Sequence, residues 1–260
     1  MVSKFVTSLQ NPIVKQIQLL QTKKSARKKE NAFVIEGLRG VNEIPKGYAI
    51  NYIVTSQNVD LETVKVEAKQ HIIVPEDIFK QMSDTKTPQG VMAVVSMQTA
   101  TLETLRPKKE GFYLLLENVQ DPGNLGTMIR TAYGFGVEGI LITKGSVDVF
   151  NPKTIRSTMG AVLHVPIVID HEVIDYVNWL EANEITLYAT DLEGSRPLAA
   201  CDFTGGVGIA IGNEANGISE LVRQVASNKV RIPMPGGLES LNASIAASIC
   251  MYEVMRQRIQ

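Results

Sequence analysis

An α/β fold is predicted by two features of the second half of this 260-residue chain. Strand-like and helix-like runs alternate there, as in a mostly parallel sheet covered by helices on both faces. Three Gly/Asn-rich junctions also follow apolar runs: ENVQDPGNLGTMIRTA at 117–132, IGNEANGIS at 211–219 and RIPMPGGLESLNASIAAS at 231–248. Such junctions leave backbone N–H and C=O groups free at strand ends, where open α/β sheets bind ligands.

Along the chain, Asn11-Pro12 reads as the N-cap and first residue of a helix, with Ile13, Ile17 and Leu20 at helical spacing. That helix is expected to dissolve into the basic run 23–29. From Ala32 to Val95, AFVIEG, YAINYIVTS, HIIVP and GVMAVVS read as strands, and 61–69 as a possible helix. The stretch 97–111 lacks periodicity and ends in Pro and charge, which marks a linker. FYLLLEN, at 112–118, has too little alternation to be half-exposed, so it reads as a buried strand. DPG then reads as a turn, with Asn124 capping a helix that ends at Gly134 or Gly136. VEGILIT is the next strand, Asn151-Pro152 opens a helix through KTIRSTMGAVL, and VPIVI returns as a strand. A helix at 172–182, the strands ITLYATD, GVGIAIG and KVRIPM, and a closing helix at 242–257 complete the order. The organisation expected is a basic helical arm (1–31), a small α/β domain (32–96), a linker (97–111) and a larger α/β domain (112–260).

Apolar content of 44% and charged content of 20% fit a globular protein with a sizeable core. The net charge of −1 gives no argument for a nucleic-acid partner, but its distribution does. Residues 1–29 carry Lys4, Lys15, Lys23, Lys24, Arg27, Lys28 and Lys29 without one Asp or Glu. A phosphate-contacting arm would show this asymmetry, as would a solvated helix face. Cys201 and Cys250 are the only cysteines, and neither they nor His71, His164 and His171 have zinc or other metal-site spacing. Without a run of about 18 apolar residues or a signal-peptide h-region, a cytoplasmic protein is expected.

A dinucleotide-binding domain would place GxGxxG after its first strand, and DPGNLGTMIR does not have that spacing. Gly206 and Gly208 fall within a strand, where packing explains them. Phosphate-bearing cofactors are therefore disfavoured. S-adenosylmethionine (AdoMet) fits the loops, with Ile211 to Gly217, Ile232 to Met234 and Leu238 to Asn242 as candidate backbone contacts.

Asn124-Leu125-Gly126 through Arg130, Gly212-Asn213-Glu214-Ala215-Asn216-Gly217, and Ile232-Pro233-Met234 with Ser240-Leu241-Asn242-Ala243 form three ordered motifs. In these the chain resembles the SpoU (TrmH-like) family of RNA ribose 2′-O-methyltransferases, within the trefoil-knotted SPOUT class. FVIEGLRGVNE (33–43) and TPQGVMAVV (87–95) resemble the family's ribosomal-protein-like RNA-binding domain less distinctively. The resemblance implies a deep knot in the C-terminal domain, a homodimer formed through it, and AdoMet bent into the knot. It implies cofactor contacts from Gly212, Ile232 and Leu241, with Thr190, Asn213, Met234 and Ala243 beside them. The small residues Ala243, Ala246, Ala247 and Cys250 would allow close helix approach, between subunits or within one. Arg130 matches the family's catalytic arginine; Asn124, Glu214, Ser240 and Asn242 are the other candidate catalytic residues. Asn124, Asn242 and Ser240 could equally be helix caps, and Glu214 could orient Arg130 or a backbone amide, or be an ordinary solvated carboxylate. RNA contacts are expected from Lys23, Lys24, Arg27, Lys28, Lys29 and Arg156. Transfer from a sulfonium needs no metal. The implied activity is methylation of a ribose 2′-hydroxyl, most readily in 23S or other ribosomal RNA; the alternatives are a tRNA ribose methylase and a non-catalytic RNA-binding or ribosome-assembly factor.

Overall fold

The computed structural model describes residues 3–192, 195–237 and 240–259, which form two compact units. The first unit holds residues up to Gln98 together with Asp148–Leu163. It opens with β1 (Ser3–Phe5), α1 (Pro12–Thr22) and α2 (Lys24–Glu30), and continues through β2 (Ala32–Glu36), α3 (Leu38–Asn42), β3 (Ile50–Ser56), β4 (Gln70–Val74), α4 (Glu76–Met82) and β5 (Val91–Ser96). The strands form one mixed sheet in the order β1-β4-β3-β5-β2, with β1, β4 and β3 parallel and β5 antiparallel to both its neighbours.

The basic N-terminal segment is part of this unit and not a separate arm. β1 pairs with β4, and α1 buries Val14, Ile17 and Leu20 in the same apolar core as Val34, Val54, Ile72 and Phe79. Asn11 caps α1 through its side chain, which accepts from the Ile13 N–H, with Pro12 in the first turn. The basic run does not dissolve the helix either. The chain breaks at Lys23, whose backbone is extended, and restarts as α2, which ends on Asn31 in the left-handed region. The stretch 61–69 forms only a short 3-10 turn at Leu61–Thr63 and is otherwise irregular; Leu61, Val64 and Ala68 lie at helical spacing, but Val64, Val66 and Ala68 alternate equally well, so the pattern does not select a helix.

The second unit begins at Thr99. Its approach segment is docked, not free: Leu105 is buried in the core, Ala100 bridges to Val168, and the Trp179 indole N–H donates to the Leu102 carbonyl. β6 (Phe112–Leu116), α5 (Pro122–Gly134) and β7 (Gly139–Thr143) follow. The chain then enters the first unit at Asp148, forms α6 (Pro152–Thr158), and leaves after Leu163. α6 is shorter than its pattern predicts because Met159 adopts φ 49° and Gly160 φ 87°, which a helix cannot continue through. Back in the second unit come β8 (Ile167–His171), α7 (Val173–Ala182), β9 (Thr186–Thr190), β10 (Arg196–Pro197), β11 (Val207–Ile211), α8 (Glu220–Val225), β12 (Asn228–Arg231) and α9 (Ala243–Arg258).

The described strands of this unit form a seven-stranded, fully parallel sheet in the order β10-β12-β9-β11-β6-β7-β8. Every residue of β6, β7 and β11 is buried, which explains their near-continuous apolar runs. Tyr176, Val177 and Leu180 of α7 and Val222 of α8 pack on Leu115, Leu141 and Ala210 in one core, while α5 and α9 pack against each other. Strand order reverses between β6 and β11. Chain direction brings the C-terminal ends of both, and so the first two junctions, to this point. Among the described residues no helix is long and apolar enough to cross a membrane.

Candidate active site

The first junction starts where β6 ends. Glu117 is buried, and its Oε2 accepts from the Ser219 N–H at 2.8 Å, tying the first junction to the end of the second. Asn118 follows at φ 55°, its N–H donating to the Thr143 hydroxyl. The Gln120 side chain donates to the carbonyls of Asn118 and Gly145. Asp121, not Asn124, caps α5: its carboxylate accepts from the Asn124 N–H at 2.8 Å, and Pro122 occupies the first turn. The DPG segment is therefore cap and first turn of the helix. Asp-Pro is itself a helix-start signal, and it overrides the cap predicted three residues later.

Because Asn124 is not the cap, its side chain is available for other contacts. Its Nδ2 donates to Glu214 Oε1 at 3.1 Å, and its Oδ1 accepts from Asn242 Nδ2 at 3.0 Å. Glu214 also takes the N–H groups of Gln120 and Asp121, each at 3.2 Å. Burial alone would push this carboxyl upward; the hydrogen bonds from Asn124 and from the backbone outweigh it and hold the pKa below the ordinary value. Asn242 caps α9, its Oδ1 accepting from the N–H groups of Ser244 and Ile245. Both readings of Asn242, cap and site residue, thus hold together. All three junctions meet in this Glu214–Asn124–Asn242 chain.

The second junction is a closed turn. Asn213 and Gly217 exchange backbone hydrogen bonds at 2.9 Å in both directions, and the Asn213 carboxamide accepts from the N–H groups of Ala215 and Asn216 while donating to the Asn118 carbonyl. Gly212 is required at its base. A Cβ there would lie 2.0 Å from the Gly217 carbonyl carbon, inside any tolerable contact.

Beside this turn lies a cleft of about 480 Å³, lined by the seven residues that the family resemblance sets against the cofactor: Thr190, Gly212, Asn213, Ile232, Met234, Leu241 and Ala243. Glu214 and Ser240 also line it. The Thr190 hydroxyl donates to the Ala210 carbonyl at 2.9 Å, which leaves its oxygen to the cleft as an acceptor. Leu238, expected to offer a backbone contact, lies outside the described residues. Sequence reasoning missed Asp191 and Arg223, an ion pair at 2.8 Å on the cleft wall; nothing at either position departs from an ordinary loop or helix surface.

The expectations for the arginines change. Arg130 is exposed on α5 and does not line the cleft; among the described residues its side chain has no ion pair or hydrogen bond, so Glu214 does not orient it. Arg27 is not an RNA-facing side chain. It is buried, donating from Nε and Nη2 to Asp148 at 2.9 and 2.7 Å and from Nη1 to the Leu20 carbonyl. Lys23, Lys24, Lys28 and Lys29 are exposed, and Arg156 is ion-paired with Asp84 in the first unit. The small residues of α9 also separate: Ala247 and Cys250 are fully buried within the subunit, with burial pushing the Cys250 thiol up to about 12, whereas Ala243 and Ala246 border the cleft.

Residues 111–252 match the SpoU rRNA Methylase family, and residues 11–93 match the MRM3-like substrate binding domain. The chain belongs to the SpoU rRNA methylase family. It is 35% identical to the 23S rRNA (guanosine(2553)-2′-O)-methyltransferase RlmP of Bacillus subtilis, over 96% of this chain and 99% of that one. Two solved structures superpose closely, each with a TM-score of 0.89. One is the AdoMet-bound rRNA methyltransferase from Sinorhizobium meliloti (32% identical, 98% of each chain), the other the SpoU methyltransferase AviRb from Streptomyces viridochromogenes with AdoMet (28% identical, 96% and 99%). For a SpoU chain the cleft and the hydrogen-bonded chain beside it stand where the three motifs of the sequence place them.

Proposed function

We infer that this protein is an enzyme that transfers a methyl group from AdoMet to a ribose 2′-hydroxyl of RNA, with ribosomal RNA as substrate. The observation that carries the reading is the meeting of three sequence-distant junctions around one preformed cleft, supported by full-length relatives named as 23S rRNA 2′-O-methyltransferases.

The residues present fit AdoMet. The cleft lies within the size range of small-molecule sites, about 300–1,000 Å³, and combines apolar walls (Ile232, Met234, Leu241) with the closed 212–217 turn, whose hydrogen bonds already fix its backbone. Bound there, AdoMet supplies an electrophilic methyl on a sulfonium. The trefoil knot and the bent cofactor implied by the family resemblance are part of this proposal.

A ribose hydroxyl is a poor nucleophile, so the chain's own residues must hold it in line and help its proton leave. Glu214 is a poor base for this: its oxygens already accept three donors, and its depressed pKa disfavours taking a proton. We assign it to positioning, with Asn124 and Asn242 set through it. Ser240 offers a hydroxyl at the cleft, and unpaired Arg130 is free to grip a phosphate of the target nucleotide and polarise the hydroxyl; guanidinium keeps its proton too firmly for general-base work.

The homodimer is part of the same proposal. Ile245, Ile249 and Tyr252 recur at i, i+4 and i+7 along α9 and are exposed (52%, 36% and 50%), with Tyr133 of α5 also half exposed. An apolar stripe on a helix pair fits an isologous interface, acting in the cytoplasm where ribosomal RNA is processed. Calorimetry with AdoMet and its demethylated product, against NAD and ATP, tests the cofactor assignment. Tighter binding of NAD or ATP would overturn it, and mapping ribose methylation in rRNA and tRNA with and without the protein tests the substrate.

A further inference from the structure

We propose that a groove of the N-terminal unit, walled by Ile35, Ile155, Met159 and Val162, takes one unstacked base of the RNA substrate, with Lys86 on an adjoining phosphate. This rests on the reading of RNA as the substrate and adds the place where an RNA nucleotide is gripped within the first unit. The groove has a volume of about 420 Å³, and all its lining residues belong to that unit.

Three observations favour a nucleobase. The first is the wall. Ile35, Ile155 and Val162 offer aliphatic surface, and the Met159 side chain, 44% exposed, stands at the groove from a residue in the left-handed region (φ 49°). A thioether in such a place packs well on a flat aromatic ring. The second is the charge balance. Arg39 holds Glu43 at 2.9 Å, Arg156 holds Asp84, and Glu36 accepts from the hydroxyls of Ser83 and Thr85. Both guanidiniums are thus taken by carboxylates, and the third carboxylate, Glu36, is held by hydroxyls. The groove offers guanidinium planes and hydrogen-bonding edges without excess positive charge, which suits a neutral heterocycle better than a bare phosphate. The third is Lys86. It lies between the groove residues Thr85 and Thr87, is exposed, and has no ion pair or hydrogen bond among the described residues. A nucleotide seated by its base would carry its phosphate to such a cation.

The test uses the intact protein and 23S rRNA transcripts substituted with 4-thiouridine or 6-thioguanosine. Irradiation should cross-link the transcript at or beside Met159. Thr87→Trp, a change at an exposed residue on the groove, should fill it, remove that cross-link and weaken RNA binding about tenfold, with AdoMet affinity unchanged within twofold. Lys86→Ala should lower the slope of log K against log salt by about 0.7, the value for one single-strand phosphate contact. Unaltered affinity and cross-linking in Thr87→Trp overturns the groove assignment while leaving the enzyme reading in place. A wild-type protein that neither binds nor methylates RNA overturns both.

Discussion

Replacing Arg27 by methionine separates a structural cation from an RNA-binding one. The Arg27 side chain is 4% exposed and each of its three nitrogens donates, two to Asp148 Oδ2 and one to the Leu20 carbonyl; the Asp148 side chain is 13% exposed. Methionine keeps much of the apolar stem but leaves the carboxylate buried without its cation. Breaking a buried pair from one side costs about 3–5 kcal/mol, and with a urea dependence of about 2 kcal/mol per M the midpoint should fall by roughly 2 M. The loss should be local. Hydrogen exchange should speed up in α1, α2 and the 148–163 segment, while β6, β7 and β11 keep their protection. Arg27→Met/Asp148→Asn should recover much of the loss, because Asn removes the stranded charge yet keeps an Oδ1 to accept from the Phe150 N–H, now held at 3.1 Å. A loss below about 1 kcal/mol in Arg27→Met, joined to weaker RNA binding, would refute the argument and restore Arg27 to the RNA surface.

Other outcomes follow from the site. The Glu214 pKa lies below its ordinary 4.5, so the hydrogen bonds it accepts are at full strength above that value and are lost as pH falls through the depressed one; hydrogen exchange at Gln120 and Asp121 should show this. Glu214→Gln should remove that pH response and cost about 1–2 kcal/mol, since its NH2 replaces one carboxylate oxygen and so turns a donor toward one of the two backbone N–H groups at a partly solvated site. Arg130→Ala should lower kcat for RNA methylation by about a hundredfold or more, with AdoMet affinity by calorimetry unchanged within twofold. Ile249→Asp/Tyr252→Arg should yield a monomer by sedimentation, with far-UV circular dichroism preserved; an unchanged sedimentation coefficient would place any interface elsewhere.

Local signals were legible in the sequence where they had no competitor. Asn11-Pro12 and Asn151-Pro152 both open helices, and the unalternating FYLLL is a strand buried on both faces. Where two local signals lay close together, the ranking was needed. Asp121 before Pro122 outcompetes Asn124 as cap because a proline at the first helical position fixes the start of the helix. The basic run 23–29 showed the opposite difficulty. Its charge pattern was plain, but burial of Arg27 depends on Asp148, 121 residues away, and on a chain segment that leaves one unit to pack in the other. No periodicity encodes that.

The candidate site shows how motif order can identify a site while leaving the roles within it open. Glu214 and Asn124 are separated by 90 residues and Asn124 and Asn242 by 118, so only folding reveals that they form one chain of hydrogen bonds. Once they do, their chemistry divides. Three accepted hydrogen bonds lower the proton affinity of Glu214, which suits it to clamp the first junction onto the second and unsuits it to take a proton from a hydroxyl. Asn242 spends its oxygen on capping α9 and its amide on Asn124, so the start of that helix is fixed to the same clamp. Among the described residues, the candidate catalytic side chains with no hydrogen bond or ion pair are Ser240, at the cleft, and Arg130. In the role proposed for them above, these two side chains act against a rigid hydrogen-bonded frame, and a variant that loosens the frame should lower kcat without changing which hydroxyl is methylated.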